Sequence, residues 1–410
     1  MKLLVVTQYF WPEGFRINDL VRSLAERGHD VEVLTGKPNY PEGVIFPGYR
    51  AWGYQQEKWE GATVHRVPLF RRGVKSAVKL TLNYLSFILS GSLLAPWLLR
   101  KQRYDVVFVY APSPILQAIP ALFLGWLKKA PVAIWVQDLW PESLSATGYV
   151  RSSIMLKAVE SVVRFIYRKA DMLLVQSRAF EPLVAAMAPG KPINYYPNSV
   201  DAIFCNPGAV PLPETTALDG AFSVMFAGNI GAGQAVEVIV EAATLLQGHH
   251  DIHFVVFGGG SRWEWMRAEV EFRGLTNVHL PGRLPVETMP GLMQKASALL
   301  VTLADKPIFA ATVPNKVQAY MAAGRPILAC LNGEGARLVE EAQAGLCVQA
   351  QDAKALAAAV LRLYQMSEDE RSKLGANGRR YFKAHFDHDM LVDELMLHLR
   401  AMSKTAAEAA

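Results

Sequence analysis

Short, wholly apolar runs alternate with longer stretches of helical periodicity along the first half of the chain. Apolar runs without polar alternation are typical of strands in a parallel sheet that is buried on both faces. Stretches in which apolar residues recur every three or four positions predict helices between those strands. The predicted strands are 3–7, 31–34, 63–67, 106–109, 132–136 and 172–175, and the predicted helices are 15–27, 115–128 and 154–168. This half therefore predicts a doubly wound α/β domain.

The alternation restarts after a proline-containing segment without periodicity. The second set of predicted strands is 222–227, 252–257, 278–280, 298–301 and 327–330. Because 410 residues exceed what one core usually organises, we expect two similar doubly wound domains with parallel sheets. The predicted boundaries are 1–204 for a first Rossmann-like domain, 205–220 for a linker, 221–386 for a second Rossmann-like domain, and 387–410 for a C-terminal helix that can return to the first domain.

Composition narrows the class of protein. Apolar residues make up 51% and charged residues 19% of the chain, with a mean hydropathy of +0.14, which excludes acidic and disordered proteins. The composition is that of a soluble protein with a large buried core or of a protein that contacts a membrane. The cysteines Cys205, Cys330 and Cys347 lack metal-ligand spacing and cannot all pair, so we expect a reducing cytoplasm and no metal site. The apolar run at the start is too short for a signal peptide, and we expect no export.

A short helix of about 10 residues is predicted between Pro314 and Gly324. Pro314 suits its first turn, Gly324 suits its exit, and Pro326 prevents its continuation. The free backbone N–H groups and the helix dipole favour an anion at its start, where Lys316 adds a full charge. The helix therefore predicts a phosphate site. The alternative is an ordinary capped helix with a solvated lysine.

Loops that follow strands are where chemistry is expected, because ligands of parallel sheets bind beyond the carboxyl ends of the strands. The loop after the first strand lacks the G-x-G-x-x-G pattern of a dinucleotide site, which argues against a dehydrogenase. Glycine-rich turns at 228–234 and 258–262 allow the backbone to approach a ligand closely. The loop after 132–136 carries Asp138.

Several of these motifs follow one another in a distinctive order. They are Phe226-Ala227-Gly228-Asn229-Ile230-Gly231, Phe257-Gly258-Gly259-Gly260, Leu280-Pro281-Gly282-Arg283, Val313-Pro314-Asn315-Lys316 and Tyr320-Met321-Ala322-Ala323-Gly324-Arg325-Pro326. This order resembles the donor half of glycosyltransferase family 4. Tyr9-Phe10-Trp11-Pro12-Glu13 and the segment 138–143 further resemble its colanic-acid and O-antigen branch, which includes N-acetylfucosamine transferases. The resemblance implies a retaining GT-B enzyme with two facing Rossmann-like domains, donor in the second, acceptor in the first, and no cofactor.

The chain departs from the family at its charged donor clamp. Asn229 and Gln234 stand where many members have an arginine and a lysine, and Ala311 and Ala319 stand where two glutamates are usual. The diphosphate would then be met by Lys316, helix N-termini and backbone amides, with Arg283 and Arg262 as further contributors. The donor-binding residues implied are Gly228, Asn229, Gly231, Gln234, Gly258, Gly260, Arg283, Pro314, Asn315, Gln318 and Glu334.

Roles in transfer follow from the same resemblance. Gln318 and Glu334 are candidates for sugar hydroxyls or an acetamido group, although Gln318 could equally lie on a solvated helix face. Lys316 would stabilise the departing diphosphate, and Asp138 would serve as base or orienting group for the acceptor. Asp138 could instead cap the helix that follows it. The acceptor-binding candidates are Glu13, Phe15, Arg16 and Asp19, with Glu13 and Asp19 as reserve catalytic groups.

The segment 80–99 contains no charged residue and is bordered by basic ones. It is long enough to span a bilayer as a helix of about 30 Å. A single span would separate strands that belong to one sheet, so we predict that the helix, about 76–99, is either buried or lies in the membrane interface, and we favour the interface. The residues expected at the membrane are Arg71, Arg72, Lys75, Lys79, Leu85 and Leu89.

The sequence thus predicts a cytoplasmic glycosyltransferase peripherally associated with the inner face of the cytoplasmic membrane. Its expected donor is a nucleoside-diphosphate sugar, with UDP favoured and GDP possible, carrying for example an N-acetylated deoxyhexosamine. Its expected acceptor is a polyprenyl-diphosphate-linked saccharide, and no nucleic-acid partner is expected. A nucleotide-sugar 2-epimerase and a catalytically inactive sugar-nucleotide-binding protein are the alternatives.

Overall fold

The contacts within the chain form two compact units. A computed structural model describes residues 1–73, 76–146, 152–200, 202–205, 210–213, 218 and 220–408. The first unit runs from Met1 to Pro197 and includes the C-terminal segment from Asp389, and the second is Asn198–His388. The boundary between the two units lies at Pro197–Asn198, before the predicted limit of the first domain at 204. Val200 already packs in the core of the second unit.

The first unit contains a sheet with strand order β3-β4-β2-β1-β5-β6-β7-β8. The strands are parallel except for β3, which pairs antiparallel with β4 at the edge. The sequence pattern misses β3 because four of its five residues are polar or charged. The strands are β1 (Lys2–Val6), β2 (Asp30–Thr35), β3 (Gln55–Trp59), β4 (Ala62–Arg66), β5 (Val106–Ala111), β6 (Val132–Val136), β7 (Met172–Val175) and β8 (Ile193–Tyr195).

Helices cover both faces of this sheet. One core cluster joins α1 to strand residues such as Ala133, whereas Gly125 of α3 packs on the neighbouring Val132, which faces the other way. Between β1 and β8, the helices of the first unit are α1 (Ile17–Glu26), α2 (Ala77–Leu98), α3 (Ala118–Lys128), α4 (Glu142–Ala146), α5 (Ser153–Lys169) and α6 (Phe180–Met187).

The second unit contains a wholly parallel sheet with strand order β11-β10-β9-β12-β13-β14. The direction of strand progression reverses between β9 and β12, which makes that point the expected ligand crevice. The strands are β9 (Phe222–Asn229), β10 (Ile252–Gly259), β11 (Val278–Gly282), β12 (Ala298–Thr302), β13 (Ile327–Cys330) and β14 (Gly345–Val348). The helices are α7 (Ala202–Cys205), α8 (Glu237–Leu245), α9 (Trp263–Phe272), α10 (Met289–Lys295), α11 (Pro307–Ala311), α12 (Asn315–Ala323), α13 (Glu334–Glu341), α14 (Ala353–Gln365) and α15 (Glu368–His385).

The chain then returns to the first unit through α16 (His388–Glu408). An apolar stripe on α16 packs in the same core cluster as α1 and includes Leu395 and Leu399. Arg27, at the end of α1, forms ion pairs with Asp389 at 2.6 Å and with Asp393 at 3.3 Å. The helix therefore completes one layer of the first unit.

The helix α2 buries one narrow side and leaves a broad apolar side exposed. Its buried residues, Asn83, Phe87, Gly91 and Ala95, recur every fourth position. The outward positions are largely leucines, and Leu89 is 61% exposed. Among the described residues, α2 is the helix that is long and apolar enough to cross a membrane. Only 17% of its most apolar 18-residue stretch is buried within the protein.

Candidate active site

Lys316 lies at the point where the second sheet reverses its strand progression. Its side chain extends from the first turn of α12, and its Nζ donates a hydrogen bond to Gln234 Oε1. The same nitrogen lies 4.4 Å from the centre of the Phe226 ring. Burial lowers the pKa of the lysine to about 8, and within the described part of the chain no carboxylate pairs with it. A cation held without a counter-charge at a helix N-terminus is arranged to receive an anion.

Bare backbone at the ends of β9 and β10 makes room for this cation. A Cβ on Gly228 would lie 2.8 Å from Lys316 Cε, and the backbone there has a φ of +137°. A Cβ on Gly258 would lie 1.8 Å from the carbonyl oxygen of Gly228. Both positions therefore require glycine. Gly228 and Asn229 are exposed, so the floor of the site is open.

Most of the predicted donor residues surround this floor. The side chain of Asn229 lies against the loop, 2.8 Å from where a Cβ on Gly231 would be and 2.5 Å from that of Gly260. Arg283 is exposed at the end of β11, with its Nε beside Gly259. At the start of α12, Pro314 is the capping residue, and the exposed Asn315 accepts a hydrogen bond of 3.3 Å from Asn198.

Three other residues expected at the donor are either buried or paired within the second unit. Gln318 has no exposed surface, because its side of α12 faces the interior, so it lies neither on a solvated face nor within reach of a sugar. Within the described residues, both polar atoms of its amide lack a hydrogen-bond partner. Glu334 pairs with Arg337 of its own helix through contacts of 3.0 and 3.1 Å. Arg262 is bound to Glu237.

Asp138 follows β6 at the carboxyl edge of the first sheet. Its carboxylate hydrogen bonds with Ser113, whose hydroxyl also accepts a hydrogen bond of 2.8 Å from Trp140 Nε1. Burial raises the pKa of Asp138, and the Ser113 hydroxyl partly opposes that shift. The following helix begins only at Glu142, so Asp138 does not occupy its capping position. A carboxylate with a raised pKa is suited to accept a proton from a hydroxyl.

The predicted acceptor residue Glu13 is buried and joins two loops. Its Oε1 accepts hydrogen bonds of 2.7 Å from the backbone N–H groups of Asn39 and Tyr40, and its Oε2 accepts one of 3.2 Å from Phe10. Burial raises the pKa of this carboxyl group to about 7 despite these donors. Because both oxygens are occupied, Glu13 positions the loops instead of facing a ligand.

The remaining acceptor candidates lie near the same loops. The ring of Phe15 lies 5.2 Å from the rings of both Tyr9 and Tyr40. Asp19 forms an ion pair of 3.0 Å with Arg22 on the same helix, and Arg16 occupies the N-cap position of α1 without a side-chain capping hydrogen bond. Tyr40 and Phe15 therefore form an aromatic surface at this edge.

The predicted membrane residues separate into two groups. Arg71, Lys79, Leu85 and Leu89 are exposed at or near α2. Arg72 is half-buried, lies 5.0 Å from the centre of the Tyr40 ring and donates to the Tyr9 hydroxyl, so it belongs to the loop cluster. Lys75 lies outside the described residues.

The sequence analysis missed the site contacts of two residues, Phe226 and Ser113. Phe226 and Gly228 are two positions apart on one strand and face the same side, so the sequence did contain a signal that a ring lies below the cation. Ser113 reaches Asp138 from the adjacent strand's loop, and no local pattern indicates that contact. No group of three or more potential metal ligands occurs in the described part of the chain.

Known proteins resemble this chain both in sequence and in structure. Two protein-family models match, "Glycosyl transferase 4-like domain" over residues 14–198 and "Glycosyl transferases group 1" over 221–366. WcaI of Escherichia coli, a glycosyl transferase assigned to colanic acid biosynthesis, is 24% identical over 352 residues, covering 79% of this chain and 82% of the relative.

Solved structures share the fold over nearly the whole chain. The sucrose-phosphate synthase of Thermosynechococcus elongatus has a TM-score of 0.76 at 18% identity, covering 98% of this chain and 99% of the other. HepE of Anabaena, solved in complex with UDP, has a TM-score of 0.71 at 12% identity, covering 98% and 100%. The chain therefore has the GT-B fold and belongs to the glycosyltransferases of family 4.

Proposed function

We propose that this glycosyltransferase moves a sugar from a nucleoside-diphosphate sugar to a lipid-linked saccharide, with retention of anomeric configuration, at the inner face of the cytoplasmic membrane. The observation that carries the donor part is the half-buried Lys316, which has no carboxylate partner among the described residues. Its position at the start of α12 suits a diphosphate. The UDP bound by HepE supports UDP as the nucleotide, with GDP as the second choice.

The residues support a division of labour in the transfer. Lys316 and the first N–H groups of α12 would stabilise the negative charge that develops on the departing diphosphate. The glycines of β9 and β10 would let the phosphates approach the backbone. Asp138, with its raised pKa, would orient the acceptor hydroxyl or take its proton. Retention would follow if that hydroxyl attacks from the face that the diphosphate leaves.

The lipid part of the proposal rests on α2. A helix that turns its leucines outward and its asparagine inward is suited to lie in a membrane interface. Exposed Arg71 and Lys79 at its start would meet anionic headgroups. The colanic acid pathway to which the relative WcaI is assigned supports a saccharide acceptor of the cell surface.

A panel of UDP-, GDP- and dTDP-sugars tests the proposal. The purified protein is incubated with each sugar, with and without polyprenyl-diphosphate saccharides, and the products are separated by mass. Transfer that requires the lipid-linked acceptor supports the proposal, and NMR of the anomeric carbon checks retention. Epimerisation without an acceptor would identify a 2-epimerase. Binding without turnover would indicate an inactive nucleotide-sugar-binding protein, as the replaced clamp residues Asn229 and Gln234 allow.

A further inference from the structure

A groove opens on the first unit between α3 and α5. Its volume is about 760 Å³, within the range of roughly 300–1,000 Å³ in which ligand pockets occur. Apolar side chains line most of it, and the large rings Phe123, Trp126 and Phe165 border its mouth. The surfaces of Trp126 and Phe165 are 73% and 54% exposed. Large exposed aromatic rings grouped around one groove are uncommon on a soluble surface and often mark a binding site.

The groove continues the exposed apolar side of α2. The helices α2, α3 and α5 pack side by side in one layer, and Gly91 of α2 lies against Pro120 of α3. The apolar surface therefore extends over three neighbouring helices. Further exposed apolar residues on α3 and α5 are Leu127, Ile154, Met155 and Val162.

Positive charge borders the groove. Lys129 lies at the C-terminal end of α3 and Lys169 at that of α5. Both lysines are exposed, and in the part of the chain that the structure describes neither forms an ion pair. The lining also includes the carboxylate of Asp171, whose Oδ2 accepts a hydrogen bond of 2.8 Å from the backbone of Val132, so the two lysines leave a net positive charge at the groove. An apolar channel with two cations at its rim matches a hydrocarbon chain that carries an anionic headgroup.

The position of the groove decides between two sources of such a chain. Val132 and Asp171 lie at the amino ends of β6 and β7, whereas Asp138 follows the carboxyl end of β6. These ends are about 17 Å apart along a strand of five residues. The groove is thus at the opposite edge of the sheet from the proposed chemistry, which favours a lipid of the surrounding membrane over the acceptor.

We propose that this groove binds one acyl chain of an anionic phospholipid, with Lys129 and Lys169 at its headgroup. This inference rests on the membrane part of the proposed function and extends it from one helix to a specific lipid site. Bound lipid would anchor the amino edge of the first sheet while α2 lies in the interface.

Native mass spectrometry of the full chain tests the site with lysophosphatidylglycerol below its micelle-forming concentration. We expect a one-to-one adduct that is roughly tenfold weaker with lysophosphatidylcholine, because the choline cation cancels the net negative charge of that headgroup. Phe165→Glu should weaken the adduct by roughly tenfold or more, since a charge then lies on the path of the chain. Lys129→Gln combined with Lys169→Gln should remove the preference between the two headgroups.

The matched control is Leu89→Glu on α2, outside the groove, which should keep the adduct but weaken flotation with anionic vesicles. Transfer to a water-soluble acceptor analogue should be unchanged in Phe165→Glu, so failure of the lipid site and failure of the proposed transfer are distinguishable. An absent adduct in the wild-type protein, or an undiminished one in a folded Phe165→Glu variant, overturns the inference. A dimer that Phe165→Glu dissociates would show that a second copy of the chain occupies the groove instead, and would overturn it too.

Discussion

The ammonium group of Lys316 lies 4.4 Å from the centre of the Phe226 ring, on the side where Gly228 leaves the backbone bare. The ring and the amide oxygen of Gln234 hold the cation in place without neutralising its charge. Burial of this charge lowers the pKa of Lys316 to about 8. The energetic cost of that burial would be relieved by an anionic ligand, such as the proposed diphosphate.

Replacing Lys316 by alanine should lower turnover by roughly a hundredfold or more, with a smaller effect on nucleotide affinity. The contact strengthens as charge develops on the departing diphosphate, so its loss falls mainly on kcat. Lys354→Ala, an exposed lysine of α14, is the matched control and should behave like the wild-type protein. Steady-state kinetics measure the effect. An unchanged kcat in a folded Lys316→Ala variant would show that Lys316 does not take part in the reaction.

Nucleotide affinity should fall as the pH rises above about 8. In the free protein Lys316 is charged below its pKa of about 8 and neutral above it, and the diphosphate favours the charged form. Binding should therefore take up a proton above pH 8, and affinity should decrease by up to about tenfold per pH unit. Calorimetry with UDP in two buffers of different ionisation enthalpy measures this uptake. Lys316→Met should abolish it, and a pH-independent wild-type affinity would contradict the assignment.

Gly228→Ala should displace Lys316 and destabilise the end of β9. The new methyl group would lie 2.8 Å from Lys316 Cε, and the backbone φ of +137° is strained for any residue other than glycine, at a cost of about 1–3 kcal/mol. We expect weaker UDP binding and a lower Tm. Gly248→Ala is the matched control, because a Cβ there meets no atom within 4 Å. Equal Tm and affinity in the two variants would argue against the close approach of Lys316.

Asp138→Asn should depress transfer and spare nucleotide binding, because Asp138 belongs to the first unit and the proposed donor site to the second. The amide keeps the size of the side chain but cannot accept a proton. Calorimetry with UDP and a transfer assay measure the two effects separately. If Asp138→Asn weakened nucleotide binding while Lys316→Ala did not, the donor and acceptor would be assigned to the wrong units.

Replacing Arg71 and Lys79 by glutamine should weaken binding to anionic vesicles by roughly tenfold or more, since each cation contributes about 1 kcal/mol at such a surface. Leu85→Asp combined with Leu89→Asp should also abolish flotation but leave a folded enzyme that uses water-soluble acceptor analogues. Phe87→Asp is the contrasting control, because Phe87 is fully buried on the same helix and its replacement should unfold the protein. An unfolded leucine variant beside a floating Arg71/Lys79 variant would contradict the interfacial position of α2.

The elements that sequence predicts best are those with a single dominant signal. The strand β6 is apolar throughout, and α12 has a proline at its start and a glycine at its end with φ of +72°. The polar edge strand β3 carries no such signal, since its partner β4 supplies the pairing. Side-chain roles are harder to predict, because they depend on neighbours distant in sequence.

Gln318 and Glu334 illustrate that difficulty. Their expected contact with a sugar came from the resemblance to family 4, and spacing along the chain does not show which way either side chain points. The interior orientation of Gln318 depends on how α12 packs against α15, and the engagement of Glu334 depends on Arg337 one helical turn away. Asp138 was found because it follows a strand, although its contact with Ser113 required the neighbouring strand to be known.

The return of the chain through α16 has a consequence for biosynthesis. The sheet of the first unit is translated early, but the layer that covers one of its faces is incomplete until α16 has been made. The nascent chain therefore exposes an apolar face beside α1 while the whole second unit is being synthesised. Chaperones that bind exposed apolar surface would be expected to bind the chain during this period.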